Sequence, residues 1–164
     1  MQKTSITLAA LFIFLASCSS SNVDSVVTEK WSNTSPPINL EHIFSGEINK
    51  HGKPTGFHAR PDGKDPSSAR IKRIMSKPNK AGVYTARVEV YDKSTDQWRE
   101  KFSTMFPDKL KRDEVVQAIA NAYAERNPSE KQPWSGPSGF GFPIQGYVLN
   151  NGNINTAFPV FIKD

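Results

Sequence analysis

Two runs of β-branched and aromatic residues, joined by a turn-like segment, constrain the fold of this chain most strongly. Residues 83–91 (VYTARVEVY) and 97–106 (QWREKFSTMF) alternate partly between apolar and polar positions. Residues 92–96 (DKSTD) between them are polar and favour a turn. This pattern predicts a β-hairpin, so we expect an antiparallel sheet in the fold.

The remaining segments add helices and two more strands to the hairpin. Residues 112–125 carry apolar residues on one helical face, and Asn127-Pro128 ends that helix. The order of elements predicts an α+β fold built on a small antiparallel sheet, with a helix and loop region at its N-terminal side. The other expected elements are a short helix at 39–46, a loop or irregular hairpin at 47–69, a long loop at 128–142, and strands at 144–149 and 154–162.

The N-terminus has the pattern of a targeting segment. Lys3 precedes an apolar stretch, and the stretch ends in Leu-Ala-Ser-Cys at Cys18. This matches the bacterial lipoprotein cleavage box, in which the cysteine is lipidated; a plain signal peptide with an incidental cysteine is the alternative. We therefore expect a signal peptide over 1–17, a flexible tether over 18–37 rich in Ser, Asn and Thr, and a folded domain over 38–164.

This N-terminal pattern also predicts a location and a membrane partner. Acyl chains on Cys18 would anchor the protein to the cell envelope. The residue after the cysteine, Ser19, favours the outer membrane under the sorting rule for such lipoproteins, with the domain facing the periplasm or the exterior. We expect the folded domain to be a monomer.

A basic charge balance narrows the class of partner. The formal net charge is +5 at pH 7, which favours polyanions such as nucleic acid or anionic lipid. Part of this charge lies in a basic stretch, which either contacts phosphates or forms a solvated charged face. Its members are Arg60, Arg70, Lys72 and Arg73.

Two of the three histidines suggest proton-transfer chemistry. His42 and His58 share no helix face, so only tertiary folding brings them together. RNA cleavage by the ribose 2′-OH needs one proton removed from that hydroxyl and one given to the leaving 5′-oxygen. Two imidazoles suit both steps, because the histidine pKa is about 6.5. From spacing alone, ordinary surface histidines are the alternative, and we assign His51 no role.

The histidines lie in motifs that resemble a known family. The stretch from Leu40 to Asn49 (LEHIFSGEIN), followed by Gly52 to His58 (GKPTGFH), resembles the signature of bacterial EndoU-type nucleases, which serve as the RNase tips of polymorphic and contact-dependent toxins. The resemblance covers roughly residues 38–162. It continues through Gly82-Val83-Tyr84, Trp98, Lys101 to Pro107 (KFSTMFP), Ala122-Tyr123, Gly146-Tyr147 and Thr156 to Pro159 (TAFP).

The resemblance implies a fold, a reaction and roles for three residues, and the strand face of one of them suggests a fourth. The implied fold is of the barnase/EndoU/colicin/RelE-like type, and the implied activity is an endoribonuclease that leaves a 2′,3′-cyclic phosphate. His42 and His58 fall on the family's histidine pair, with His58 as the base and His42 as the acid by analogy. Lys101 falls where the wider family carries a catalytic lysine. Ser103, which shares a strand face with Lys101, is expected to contact substrate.

The C-terminal motif departs from the family pattern. Thr156 matches a threonine that lies beside the histidines in bacterial members, so either Lys101 or Thr156 is expected to complete the catalytic histidine pair. Phe158 stands where the pattern has tyrosine; it keeps a surface on which a base can stack but lacks the phenolic donor. This loss favours the rival hypothesis, a non-catalytic lipid-anchored surface binding module that retains the fold.

The resemblance also bears on cofactors and partners. The expected partner is RNA, and a cognate immunity protein is a further partner that toxin families bring with them. The expected chemistry requires no metal, with modulation by Mn²⁺ left open.

Overall fold

The computed structural model describes residues 29–164, which form an α+β fold of two α-helices and three small antiparallel sheets. Within these residues, no helix is long and apolar enough to cross a membrane. The expected signal peptide and the lipidated Cys18 lie outside the described residues. The elements are α1 (Leu40–Phe44), β1 (Glu47–Ile48), β2 (Pro54–Thr55), a 3₁₀ turn (Pro61–Gly63), β3 (Ala69–Ser76), β4 (Tyr84–Asp92), β5 (Gln97–Met105), α2 (Arg112–Ala124), β6 (Trp134–Pro137), β7 (Pro143–Val148) and β8 (Ile154–Pro159).

The predicted hairpin supplies two strands of a three-stranded sheet in the order β3-β4-β5, with β4 at its centre. Strands β4 and β5 pair without a shift, from Tyr84 opposite Met105 to Asp92 opposite Gln97. The inward positions of β4 are fully buried because valine, alanine and tyrosine alternate there with polar residues. One strand was not predicted: β3 pairs with the other side of β4. Register shifts on either side of Arg73–Ile74 interrupt the alternation of apolar and polar residues in β3. The sequence pattern of this strand is therefore hard to distinguish from that of a charged loop.

The predicted C-terminal elements form the second half of the domain. Helix α2 ends one residue earlier than expected and buries the face that contains Val115, Ala118, Ile119 and Ala122. It packs on a three-stranded sheet in the order β6-β7-β8. The predicted strands β7 and β8 are confirmed, but the segment 128–142 is not all loop, because β6 lies within it. A Cβ on Gly136 of β6 would stand 2.0 Å from the Ala122 carbonyl oxygen, so glycine allows this close approach of helix and strand.

The described part of the expected tether is folded against the domain. Trp31 forms an antiparallel bridge with Asn39, and Ile38 forms a parallel bridge with Ile154 of β8. The backbone N–H of Ser32 donates to the carbonyl of Ile38 at 2.9 Å. Residues 31–39 therefore form a closed loop, because their backbone groups find partners in α1 and β8. The part of the tether before residue 29 lies outside the described residues.

Candidate active site

A short helix and a glycine turn bring the two distant histidines together. Helix α1 carries His42, and the Asn39 side chain accepts a hydrogen bond from the backbone N–H of His42 at 3.1 Å. At the other end of α1, carbonyls lack partners within so short a helix. The backbone N–H groups of Phe57 and His58 provide these partners, because they donate to the carbonyls of His42 and Ile43, each at 2.8 Å. His58 is thereby fixed beside α1.

Gly56 makes this approach possible. Its φ of +72° is a conformation that side-chain-bearing residues avoid. A Cβ at this position would lie 2.2 Å from the carbonyl oxygen of His42, so the two segments touch through backbone atoms. The glycine of the Gly-Phe-His motif is thus explained by its contact with the histidine of the first motif.

The two imidazole rings line one cavity. Their centroids are 6.1 Å apart, and the ring planes are inclined by 30°. This separation lies within the range of about 5–8 Å over which two proton-transfer partners can serve one phosphate. The cavity has a volume of about 410 Å³ and opens to solvent. Its wall brings together residues from four segments of the chain: His42, Thr55, Gly56, His58, Lys101, Phe102, Ser103, Thr104, Thr156 and Phe158.

His42 is oriented by a carboxylate. Its Nδ1 lies 2.7 Å from Oε1 of Glu47 on β1, and the two groups form a salt bridge whenever the imidazole carries both protons. The hydrogen bond from His42 holds the pKa of Glu47 below its usual range, against the raising effect of partial burial. Since Nδ1–H points at Glu47, the opposite nitrogen, Nε2, is the one left for proton exchange. Glu47 was not predicted from the sequence to have a role, although it lies within the motif that contains His42.

His58 has the opposite electrostatic setting. Its ring is 8% exposed, and burial lowers the pKa of His58 well below its usual range; the charges of Lys101 and His42 lower it further. Its Nδ1 lies 3.1 Å from the Thr104 carbonyl oxygen and 2.9 Å from Ser103 Oγ.

These two contacts decide which nitrogen of His58 carries the proton. The carbonyl of Thr104 can only accept. The Ser103 hydroxyl donates its hydrogen to the carbonyl of Phe57 at 2.7 Å, so toward His58 it accepts as well. Neutral His58 therefore carries its proton on Nδ1 and presents a basic Nε2 on the opposite edge of the ring. Ser103, which we expected at the substrate, is 1% exposed and has its hydroxyl bonded to protein atoms.

Lys101 places a cation in the same wall. It shares a face of β5 with Ser103, and its Nζ donates to the carbonyl of Gly56 at 2.8 Å. Burial lowers the pKa of Lys101 to about 8. The ammonium therefore remains charged at neutral pH and sits next to the turn that carries His58.

The C-terminal strand closes the other side of the cavity. The buried Oγ1 of Thr156 has no hydrogen-bond partner within the described part of the chain. A buried hydroxyl without a hydrogen-bond partner destabilises the folded protein unless a bound molecule supplies that partner. The ring of Phe158 lies 5.5 Å from that of His58 with the planes tilted by 34°. Both residues expected on β8 therefore line the cavity that contains the histidines.

Other predicted residues lie away from this cavity. His51 is exposed in the turn between β1 and β2. Arg60 pairs with Asp65 and Asp108, and Arg70 pairs with Glu89. Among residues 29–164, no group of three or more His, Cys, Asp or Glu side chains is arranged to hold a metal ion.

Comparisons with known proteins match the region of the chain that contains this cavity. The family model of the bacterial EndoU nuclease matches residues 38–160. A protein of Bacillus cereus named "Toxin" is 34% identical over 123 residues, which is 75% of this chain and 22% of that relative. The chain thus spans about a fifth of the length of the relative it matches. No solved structure gives a significant match. The matched range contains every side chain of the cavity wall.

Proposed function

The chain belongs to the bacterial EndoU nuclease family, and from this premise we propose that it is an endoribonuclease. It cleaves single-stranded or loop RNA by attack of a ribose 2′-OH and leaves a 2′,3′-cyclic phosphate. One observation carries the proposal: two imidazoles 6.1 Å apart share a cavity, with Nδ1 of each held by the protein. Each ring is thus fixed with its Nε2 available for proton transfer.

The different settings of the two histidines support a division of labour. His58 is neutral near pH 7 because its pKa is low, so its Nε2 takes the proton of the 2′-OH as the 2′-oxygen attacks phosphorus. The bond between phosphorus and the 5′-oxygen breaks, and that oxygen takes a proton from Nε2 of His42. Glu47 offsets the positive charge that His42 carries before this transfer. Protons and bonds balance without a further reactant.

Lys101 and Thr156 suit the phosphate that lies between the histidines. The charge on phosphorus-bound oxygens grows as the 2′-oxygen attacks, and a fixed cation stabilises it. Lys101 supplies that charge, and it is held in place by its hydrogen bond to Gly56. The unpartnered hydroxyl of Thr156 donates to a phosphate oxygen or to a base edge. Phe158 offers a ring against which an unstacked base rests.

Cleavage of labelled RNA tests this proposal. The full chain is incubated with a single-stranded RNA beside the variants His42→Ala and His58→Ala. We expect cleavage by the wild type and a loss of at least a hundredfold in each variant. Equal cleavage by all three proteins would identify a contaminating nuclease and remove the proposal. Binding of RNA without cleavage by the wild type would instead support a non-catalytic binding module.

The name of the Bacillus cereus relative extends the proposal to a biological effect. We propose that this chain is toxic to cells whose RNA it reaches. Its production in a bacterial cytoplasm, without residues 1–28, is expected to stop growth, while the His58→Ala protein is tolerated. Equal growth with both proteins at equal abundance would count against a toxic role.

We also propose that lipid on Cys18 anchors the protein in the bacterial cell envelope, as the cleavage-box pattern indicates. A lipidated chain partitions into the detergent phase of a temperature-induced phase separation, and its mass exceeds that of the polypeptide. Cys18→Ser is expected to lose both properties. An unmodified Cys18 in the wild-type protein would exclude the anchor.

A further inference from the structure

A row of three side chains crosses the outer face of the β3-β4-β5 sheet and ends at the active-site cavity. Arg73 of β3 lies opposite Arg87 of β4, which in turn lies opposite Phe102 of β5. Residues directly opposite one another in antiparallel strands point to the same face. Phe102 is 51% exposed, and it also borders the cavity that contains the histidines. The row therefore continues the cavity onto the sheet surface.

The two arginines of this row are the least neutralised cations of the face. Glu89 and Glu100 are already held by Arg70 and Lys72, with the Lys72–Glu100 pair at 2.7 Å. Arg87 reaches Glu100 only at 3.6 Å. Arg73 is exposed and has no ion pair within residues 29–164. A polyanion that approaches the cavity can therefore bind these two arginines without breaking a short ion pair.

Phe102 is also available in a way that its aromatic neighbour is not. The ring of Trp98, four residues earlier on β5, is covered by the Arg70 guanidinium at 4.0 Å and contacts Tyr91 with centroids 5.2 Å apart. Phe102 has no such cover among the described aromatic and cationic contacts. Half of a large apolar side chain remains in water at the rim of the cavity, where stacking of a base would bury it.

We propose that the Arg73–Arg87–Phe102 row is a second binding site for single-stranded RNA, occupied by nucleotides that flank the cleaved bond. A flanking base stacks on Phe102, and the phosphates beyond it contact Arg87 and Arg73. This inference rests on the proposed endoribonuclease function, since it extends the same RNA strand beyond the cavity. It predicts that the enzyme prefers long single strands to substrates that fill the cavity alone.

The test compares substrates of two lengths. For the full chain and the variants Phe102→Ala and Arg73→Gln/Arg87→Gln, kcat/KM is measured on a ten-nucleotide single-stranded RNA and on a dinucleotide. We expect the ratio of the two values to fall roughly tenfold in each variant, because one stacked base or two phosphate contacts carry an effect of that order. Lys93→Gln removes a charge from the turn of the same sheet, and Ile162→Ala removes an exposed apolar side chain elsewhere; both should keep the wild-type ratio.

A binding measurement separates this proposal from the proposed function. Fluorescence anisotropy follows the ten-nucleotide strand with a 2′-deoxyribose at the cleaved position, so that binding is read without cleavage. Weaker binding by both row variants, but not by the two controls, supports the site even if the wild type cleaves nothing. If the row variants bind the strand as tightly as the wild type and keep its length ratio, the proposed RNA site is overturned. The row would then be left as a surface for a protein partner.

Discussion

The contact between Gly56 and the His42 carbonyl allows a test in which a single methyl group disturbs the proposed site. In Gly56→Ala, the new Cβ would stand 2.2 Å from that oxygen, whereas ordinary contact needs about 3.5 Å. The turn must therefore move by more than about 1 Å away from α1. Such a movement breaks the hydrogen bonds from Phe57 and His58 to the carbonyls of α1.

Gly52 supplies a control with the same backbone strain and no clash. Its φ is also +72°, but nothing lies within 4 Å of a Cβ built there. Gly52→Ala should cost about 1 kcal/mol in the free energy of unfolding, which is the penalty of left-handed backbone. Gly56→Ala adds two lost hydrogen bonds at about 1 kcal/mol each, so we expect roughly 3 kcal/mol. These costs are measured by urea unfolding.

The same pair of variants separates fold from chemistry. A displacement of about 1 Å at a catalytic group can reduce the rate a hundredfold, so folded Gly56→Ala should lose about that factor in kcat/KM on RNA. Gly52→Ala should stay within about twofold of the wild type. Equal stability and equal cleavage of the two variants would refute the claim that the Gly56 turn holds His58 against α1.

Three further predictions concern the carboxylate that holds His42 and two side chains of the cavity wall. Glu47→Gln keeps the shape of the side chain but removes its charge, and should lower kcat roughly ten- to a hundredfold. In the pH profile of kcat/KM, the acidic limb should lie below pH 6.5, because the lowered pKa keeps His58 neutral and basic as the pH falls. Loss of the Lys101 charge near pH 8 should lower kcat/KM further on the alkaline side, and Lys101→Arg should remove that part of the decline. Thr156→Val removes a buried hydroxyl without a partner, so the free energy of unfolding should hold or rise while kcat/KM falls about tenfold.

Each of these predictions has a contrary outcome. Full activity of Glu47→Gln would show that the carboxylate is only structural. An alkaline decline that is the same for lysine and arginine at position 101 would show that cleavage does not depend on the charge of Lys101. A Thr156→Val protein that unfolds more easily and cleaves normally would mean that its hydroxyl has a partner within the fold.

Local patterns predicted the elements that keep a regular alternation or a full helical face. The β4–β5 hairpin and helix α2 belong to this class, because their buried positions recur at periods of 2 and 3.6 residues. Strand β3 escaped prediction because register shifts interrupt its alternation. Strand β6 escaped because its four residues include two that are rare in strands, Gly136 and Pro137.

The site also contains features that the sequence predicted and features that depend on tertiary folding. The motif resemblance identified His42, His58 and Lys101, and folding places all three in one cavity wall. It did not reveal what sets each histidine apart, since that depends on tertiary neighbours. The carboxylate of Glu47 approaches across a tight turn, and the Thr104 carbonyl comes from a strand forty-six residues away from His58. Ser103 was expected to contact substrate, and its hydroxyl lies 2.9 Å from Nδ1 of His58.

Product analysis tests most directly whether the paired imidazoles use a ribose hydroxyl as the nucleophile. A defined RNA is cleaved by the full chain, and its new ends are identified by mass spectrometry, beside the same strand with one 2′-deoxyribose at the cleaved position. We expect a 2′,3′-cyclic phosphate and a free 5′-hydroxyl, with no cleavage at the deoxyribose. A 5′-phosphate end, or equal cleavage at the deoxyribose, would contradict it.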